Sequence, residues 1–482
     1  MSISAALNNA VSGLTASSRL AEVVSSNLSN ALTEGYGRRS VELSAMQVGA
    51  KGGGVQVDGV TRFADPGLLA DRRLADATLT GQQRSAQSLV RLETAFGGVN
   101  GDTGLAARFA AFERALISAS GDPASQTRLT TAVSRLSDVA GTLQAATRNT
   151  QSLRQDADAA IASDVAKLNA GLQQVADLNK DILRVRSAGS DSSALVDARQ
   201  RIIDDIATIV PLREVPRDNG SVALMTTTGA TLLDGRAARF GFTGTPTITA
   251  DMTLASGALS GLTLDDRPVD PANGIGRLDG GSLGAGFAMR DKTLVEVQSG
   301  LDVIAADLIA RFQDPAHDPT LAQGAPGVLT DQGGPLDLTD LTGLAGRIAI
   351  NTAIDSKKGG DPAALRDGLN AAATGLTGDS AQLNRWIDAL AQHRSDAPGS
   401  SSRSSAGRIA DFTAQLGTRR LAAQEAVSFA TAKRDSLKQS ELANGIDTDV
   451  ELQMLLRVEQ AYGANAKVIE TVNLLMQRLL EI

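Results

Sequence analysis

Cysteine is absent from this 482-residue chain, which excludes disulfides, thiolate nucleophiles, iron–sulfur clusters and Cys-ligated zinc. Histidine is nearly absent. His317 and His393 alone leave too few imidazoles for a His-rich metal site or a set of acid–base groups. Aromatic residues are scarce (10 Phe, 2 Tyr, 1 Trp), so aliphatic and alanine side chains must build any core. Positive charge is in deficit: 46 Lys and Arg against 54 Asp and Glu give a net charge of −8, which argues against a nucleic-acid or anionic-membrane partner. No apolar run reaches ~18 residues, so no membrane-spanning helix is expected. The opening MSISAALNNAVSGL has no basic stretch followed by an unbroken apolar one, so no Sec signal peptide is expected. What is present is length for roughly three domains at ~150 residues each.

The two ends carry the strongest pattern. Ile3, Leu7, Ala10, Leu14, Ser17, Ala21, Val24, Leu28 and Ala31 repeat at 4-3-4-3 spacing. At ~1.5 Å per residue this is one apolar seam on a helix of about 43 Å. Met454, Val458, Ala461, Asn465, Val468, Val472, Leu475, Leu479 and Ile482 do the same at the other end. Both hold the coiled-coil period of 3.5. Further apolar residues flank the seams: Val11 and Leu32 beside the first, Leu455, Ile469, Leu474 and Leu480 beside the second. A helix apolar on more than one stripe needs more than one partner, so the two helices are expected to pair with each other and with neighbouring subunits. The simpler alternative is that both pack on one common core.

Between the ends, Ser40–Met46 and Gly54–Val60 alternate with period two around Lys51-Gly52-Gly53-Gly54, which predicts a β-hairpin near 40–62 with those four residues as its turn. Helices follow over Leu68–Phe96 and Ala106–Ser118. A very long one then carries Pro123 near its start and reaches about Arg186, with a four-residue slip of its heptad phase near Ala157. Ser190–Ile209 is a further helix. From Leu212 to Gly281 turns recur, and period-two runs such as Val222–Met225 and Thr247–Thr249 predict strands. A helix resumes over Leu283–Phe312, and 313–346, rich in Pro, Gly and Asp, is expected to be a surface loop. Short helices follow around 363–369 and 380–392, then a Pro398-to-Ser402 linker and a helix over Ile409–Leu442.

The expected fold is mainly α with inserted β. A terminal coiled-coil pair spans 1–38 and 443–482. A discontinuous long-helix bundle spans 39–211, 282–312 and 405–442. A small β-domain is inserted at 212–281, and 313–404 forms a variable outer region of loop and short helices.

Chemistry is sparse. His317 lies among carboxylates in Asp314-Pro315-Ala316-His317-Asp318-Pro319, but a lone imidazole in a Pro-rich turn lacks a rigid second ligand. His393 reads as a helix C-terminal residue facing the dipole. Gly280-Gly281-Ser282-Leu283-Gly284-Ala285-Gly286 opens a helix yet lacks the Gly-x-Gly-x-x-Gly order and the Walker lysine, so it reads as a structural turn. Neither catalytic, cofactor nor metal residues are assigned, and no cofactor is expected.

The segment Ser12-Gly13-Leu14 … Ser26-Asn27-Leu28-Ser29-Asn30-Ala31-Leu32-Thr33-Glu34-Gly35-Tyr36 resembles the N-terminal signature of bacterial flagellar rod, hook and hook-associated proteins. That signature runs Ser-Gly-Leu, Asn-Ile-Ala-Asn, Thr-Pro-Gly-Tyr, and this chain departs from it at Leu28, Ser29 and Glu34. Glu459-Gln460-Ala461-Tyr462-Gly463-Ala464-Asn465-Ala466-Lys467 is similar to the matching C-terminal signature. Gly54–Arg62 with Asp65 following, and Asp197-Ala198-Arg199-Gln200-Arg201, are similar to the family's hook–filament junction branch.

The resemblance implies a non-enzymatic structural adaptor. Such a protein is exported through the flagellar type III apparatus without a cleaved Sec signal and assembled as a ring outside the cell. Its implied partners are further copies of itself, hook protein on one side, a second junction protein on the other and a cytoplasmic export chaperone on the C-terminal helix. The assembly residues are then the seam positions Ile3, Leu7, Leu14, Val24, Leu28, Met454, Val458, Val468, Val472, Leu475 and Leu479. Asn27, Asn30, Gly35, Tyr36, Gln460, Tyr462, Asn465 and Lys467 are the signature residues. Of these, the amides Asn27, Asn30, Gln460 and Asn465 are candidates for setting helix register, because a buried amide finds partners in one register only. A hook or distal-rod protein of the same family, or an unrelated coiled-coil interaction protein, is the alternative. The long 123–186 helix argues against the first, and a seam at both ends against the second.

Overall fold

The computed structural model describes residues 3–33, 35–48, 51–97, 103–272, 280–395 and 401–480. It is predominantly α-helical, with small antiparallel sheets inserted between long helices. Helix α1 (Ile3–Ser29) leads into a hairpin of β1 (Arg38–Val48) and β2 (Lys51–Phe63). Helices α2 (Pro66–Ala95), α3 (Leu105–Gly121), α4 (Gln126–Ser187) and α5 (Ser193–Ile209) follow. The Asp65 carboxylate caps α2 by accepting from the N–H groups of Gly67 and Leu68, with Pro66 at the first turn where its missing N–H costs nothing. The hairpin register pairs Val48 with Lys51 and Gln47 with Gly52. Lys51–Gly54 therefore belong to β2 rather than to a turn; residues 49–50 lie outside the described residues.

The 62-residue α4 organises the body. Pro123 precedes it in a turn, and Ser125 is its N-cap. Leu129, Val133, Leu136, Ala140 and Leu143 pack into one core with α3 and with α7 (Leu294–Phe312). Beyond the phase slip, Ile161, Val165, Leu168, Leu172 and Val175 pack into a second core with α5 and the sheets. The slip turns the apolar stripe from one core to the other. At the change-over, buried Arg154 and Asp158 face buried Arg290, whose Nη1 donates to Asp158 Oδ1 at 2.6 Å. Arg290 sits in a π-helical turn (Met289–Thr293) between α6 (Gly281–Ala288) and α7, so the helix expected over 283–312 is continuous but underwound and widened there.

The inserted strands form two sheets. One is β3 (Leu212–Pro216), β4 (Val222–Thr226), β5 (Thr231–Asp234) and β6 (Arg236–Ala237). The other is β7 (Phe240–Gly241), β8 (Leu262–Leu264) and β9 (Arg267–Val269). They share a core with α4 rather than forming a core of their own. Asn169 and Asn179 of α4 exchange hydrogen-bond pairs with the backbones of Phe240 and Val222, fastening both sheets to the helix. Thr247–Thr249 is not a strand. One of its carbonyls serves a side chain instead: Thr249 O accepts from Arg154 Nη1 at 3.0 Å.

The stretch 313–346 departs from the expected surface loop: it carries β10 (Leu329–Asp331) and enters α8 (Leu344–Arg347), which is followed by β11 (Ile348–Ile350). The short helices expected around 363–369 and 380–392 are present as α9 (Ala364–Asp367) and α10 (Ala381–Ala391), packed inward rather than in an outer region. Val328, Leu329, Leu344, Ile348, Leu365, Leu383 and Trp386 enter the first core. Polar backbone that a Pro/Gly-rich chain cannot pair in ladders is satisfied by side chains. The Asp302 carboxylate of α7 accepts from the N–H groups of Gly343 and Ala345, both at 2.9 Å. Helix α11 (Ser405–Ala443) runs along α2, and α12 (Thr448–Leu480) returns along α1.

Candidate assembly interface

The two terminal helices are antiparallel. Gly13 of α1 lies against Asn465 of α12, and Asn27 of α1 bonds Glu451 of α12, so the two contacts are 14 residues apart on each helix in opposite order. A Cβ at Gly13 would stand 2.6 Å from Asn465 Nδ2, so the glycine lets the half-buried amide lie flat on the opposite helix.

The pair consumes only part of the seam. Val24, Val458 and Val472 are buried, and Ile3, Leu7, Leu14 and Leu28 are half-buried. Met454, Val468 and Leu475 are exposed, as are Leu452, Leu456, Leu474 and Met476 along the same helix and Val11 on α1. The Leu479 side chain and Ile482 lie outside the described residues. The terminal pair therefore leaves most of the apolar surface of α12 open.

Asn27 is fully engaged at 1% exposure. Its Oδ1 accepts from Arg39 N–H and Tyr36 O–H, both at 3.0 Å; its Nδ2 donates to Arg39 O at 2.8 Å and Glu451 Oε2 at 3.1 Å. All four hydrogen-bonding positions of the amide are used. Glu451, also buried, accepts from Arg38 Nε at 2.8 Å. Through Arg39 the network reaches Asp197 of α5 at 2.7 Å, and Asp197 also holds Arg62 Nε of β2 at 2.6 Å, while Arg62 Nη2 bonds Gln200. Gly35 turns the chain at φ +78°, with Arg201 packed so closely that a Cβ would be 2.6 Å from its Cγ. One polar junction thus joins α1, the hairpin, α5 and α12.

The other signature residues are placed differently. Asn30 bonds within its own turn, to Ser26 O at 2.9 Å. Gln460 and Tyr462 face out, and exposed Lys467 pairs with Glu470 one turn on. Arg38, Arg39 and Glu451 were not singled out by the sequence. Nothing in a lone charged residue marks its partner 400 positions away, although Arg62 and the Asp197–Arg201 stretch stood out by resemblance.

His317 Nε2 lies 3.2 Å from Arg394, which pairs with Asp314, and His393 is exposed just beyond α10. Among the described residues no group of three or more His, Cys, Asp or Glu is arranged to hold a metal ion, and no helix is long and apolar enough to cross a membrane.

Residues 7–36 match the family described as flagella basal body rod protein, which places the chain in the class of flagellar axial proteins. Residues 89–328 match the family described as flagellar hook-associated protein FlgK helical domain. Flagellar hook-associated protein 1 of Salmonella typhimurium is 26% identical over 49% of this chain and 44% of its own length. The same protein of Escherichia coli is 24% identical over the same shares. That of Bacillus subtilis is 22% identical over 98% of this chain and 97% of its own. The aligned stretch thus spans under half the length of the two enterobacterial relatives. The flagellar hook junction protein FlgK of Burkholderia pseudomallei superposes with TM-score 0.43 at 18% identity, covering 55% of this chain and 46% of that one. The chain belongs to the flagellar hook-associated protein 1 family, a structural and non-enzymatic group of motility proteins.

Proposed function

We propose that this protein is the structural adaptor that forms a ring at the hook–filament junction and joins hook to filament. One observation carries the reading. Antiparallel α1 and α12 bury Val24, Val458 and Val472 between them and at the base of the pair, yet leave Met454, Val468 and Leu475 open. The open seam is the surface on which neighbouring copies complete the packing, with Asn27 and Asn465 holding the register of the pair so that each copy offers the same face. The acidic excess of the C-terminal segment, three basic against seven acidic residues over 441–482, favours contact with the neutral N-terminal helix of a neighbour over its own kind. Hook protein on one side, a second junction protein on the other and an export chaperone on α12 before assembly are the partners of this reading. Its location is the extracellular flagellum.

The test is electron microscopy of cells lacking the gene, complemented with the chain or with Leu475→Asp. Hooks without filaments in the deletion strain and in the Leu475→Asp strain, with filaments restored by the unaltered chain, are expected. Filaments of normal number in the deletion strain reject the role.

A further inference from the structure

An arginine-lined cleft of about 1100 Å³ opens between the terminal unit and the body, walled by Arg19 of α1, β2, the start of α2, the end of α4, α5 and β3. Among the described residues seven arginines line it; Arg19, Arg62, Arg73 and Arg217 are ion-paired with Glu22, Asp197, Asp204 and Glu214, and Asp234, so the cationic charge left without a paired carboxylate is that of Arg186, Arg199 and Arg213. Arg199 is 6% exposed, and its Nη1 donates to two uncharged acceptors, Asn179 Oδ1 and Gly220 O, both at 2.8 Å. Arg73 is 3% exposed: Nε pairs with Asp204 and Nη1 with Glu214, each at 2.6 Å, while Nη2 is buried without a hydrogen-bond partner. Among the described residues Arg186, Arg199 and Arg213 form no ion pair. Burial lowers the Arg199 pKa; Glu214 opposes this, and the charges of Arg62, Arg186 and Arg73 add to it. Like charges gathered in a half-enclosed space focus a positive potential that a bidentate oxyanion relieves. Among the described residues no aromatic ring or histidine lines the cleft, so none offers a nucleobase a stacking surface there.

We infer that this cleft binds a small, multiply charged oxyanion, one carrying two or more phosphate or carboxylate groups, held by Arg73, Arg186, Arg199 and Arg213. Because one wall is α1 with β2 and the other is the body, the bound anion braces the terminal unit against the body. Neither the family nor the assembly role is needed for this site.

Calorimetric titration of the full chain with pyrophosphate and with citrate, at ionic strength matched by sodium chloride, tests it. Saturable one-to-one binding with a Kd below about 1 mM is expected, with a rise in melting temperature that follows ligand concentration. Preference for pyrophosphate assigns a phosphorylated ligand, and preference for citrate a polycarboxylate. Arg199→Gln removes a buried contact of the β3–β4 turn and so risks the fold. Exposed Arg186→Ser and Arg213→Ser carry the test instead, and together they weaken binding about tenfold or more. Arg236→Ser, outside the cleft, leaves it unchanged. Absence of saturable binding to either anion, or equal affinity in the Arg186→Ser/Arg213→Ser variant, overturns the inference. So does loss of self-association in that variant when neither anion binds, which gives the cleft to an acidic face of a second copy.

Discussion

Helix α4 and the terminal helices carry the same kind of heptad seam, yet they end differently. Along α4, Leu129, Leu136, Leu143, Ile161, Leu168 and Leu172 are fully covered by other parts of the same chain. Along α12, Val458 and Val472 are covered while Met454, Val468 and Leu475 are not. Periodicity states that a helix has an apolar face; it does not state whether the same molecule covers it. The body is closed on itself, whereas the terminal pair is closed along one stripe (Ala10, Ala16, Val24, Val458 and Val472) and at its base by the junction of Asn27, Glu451, Arg38 and Asp197.

The sharpest way to break this contrast is a charge at the centre of each seam. Leu168→Asp in α4 leaves a buried carboxylate without a partner, costing ~3–5 kcal/mol, and should abolish the cooperative melting transition of the body by calorimetry. Leu475→Asp in α12 and Leu14→Asp in α1 should leave that transition in place while blocking assembly. A large fall of the body transition in either would show that ends and body share one core. Next in size is Trp386→Ala. At 0% exposure against Phe312, it should cost ~3–5 kcal/mol of body stability in denaturant titration if 313–395 is core.

A smaller effect tests the junction. Asn27→Leu deletes four hydrogen bonds and takes the amide donor from Glu451 Oε2, while Oε1 keeps Arg38, costing ~1–3 kcal/mol. The loss should appear in amide exchange as faster opening of 3–29 and 448–480, with 126–187 still protected. In the unaltered monomer the ends are already expected to exchange faster than α4, because ordering each residue costs ~1–2 kcal/mol against a half-covered seam. Strong protection of both ends in a dilute monomer would remove the contrast.

The smallest effect concerns pH. Burial raises the pKa of Glu441 at the end of α11, with Arg72 opposing, and raises Asp76 in the same cluster for the same reason. A carboxyl raised on folding stabilises below its unfolded pKa, and that contribution is lost as pH rises through the raised folded value. Glu441→Gln should flatten this part of the stability–pH curve on the alkaline side of the ordinary glutamate range.

Much of this was legible in sequence. Both terminal helices, the hairpin, the length of α4 and its phase slip near Ala157 follow from apolar spacing, and the slip marks where α4 changes cores. The β insertion was legible from its turns: Asp265 and Asp266 adopt positive φ in the β8–β9 hairpin. The helices α9 and α10 were legible, but the core role of 313–346 was not, because its Pro, Gly and Asp content resembles solvated loop. The apolar residues that enter the core there are scattered singly between turns, and their backbone is satisfied by side chains such as Asp302, which leave no periodic trace. At the junction, Asn27 was legible by resemblance, whereas Glu451 and Arg38 were not, since a polar network is a property of the assembled elements. Gln460 and Asn30 carried the same expectation as Asn27, but one faces out and the other bonds locally.

Helix α4 also has a mechanical meaning. Its 62 residues make a rod of about 90 Å at ~1.5 Å per residue, anchored in a different core at each half. Torque or tension entering one half is delivered to the other through a continuous hydrogen-bonded backbone, with no loop between them to act as a universal joint. The body should therefore behave as one stiff lever under load, and among the described residues compliance should concentrate in the connection 444–447, between α11 and α12.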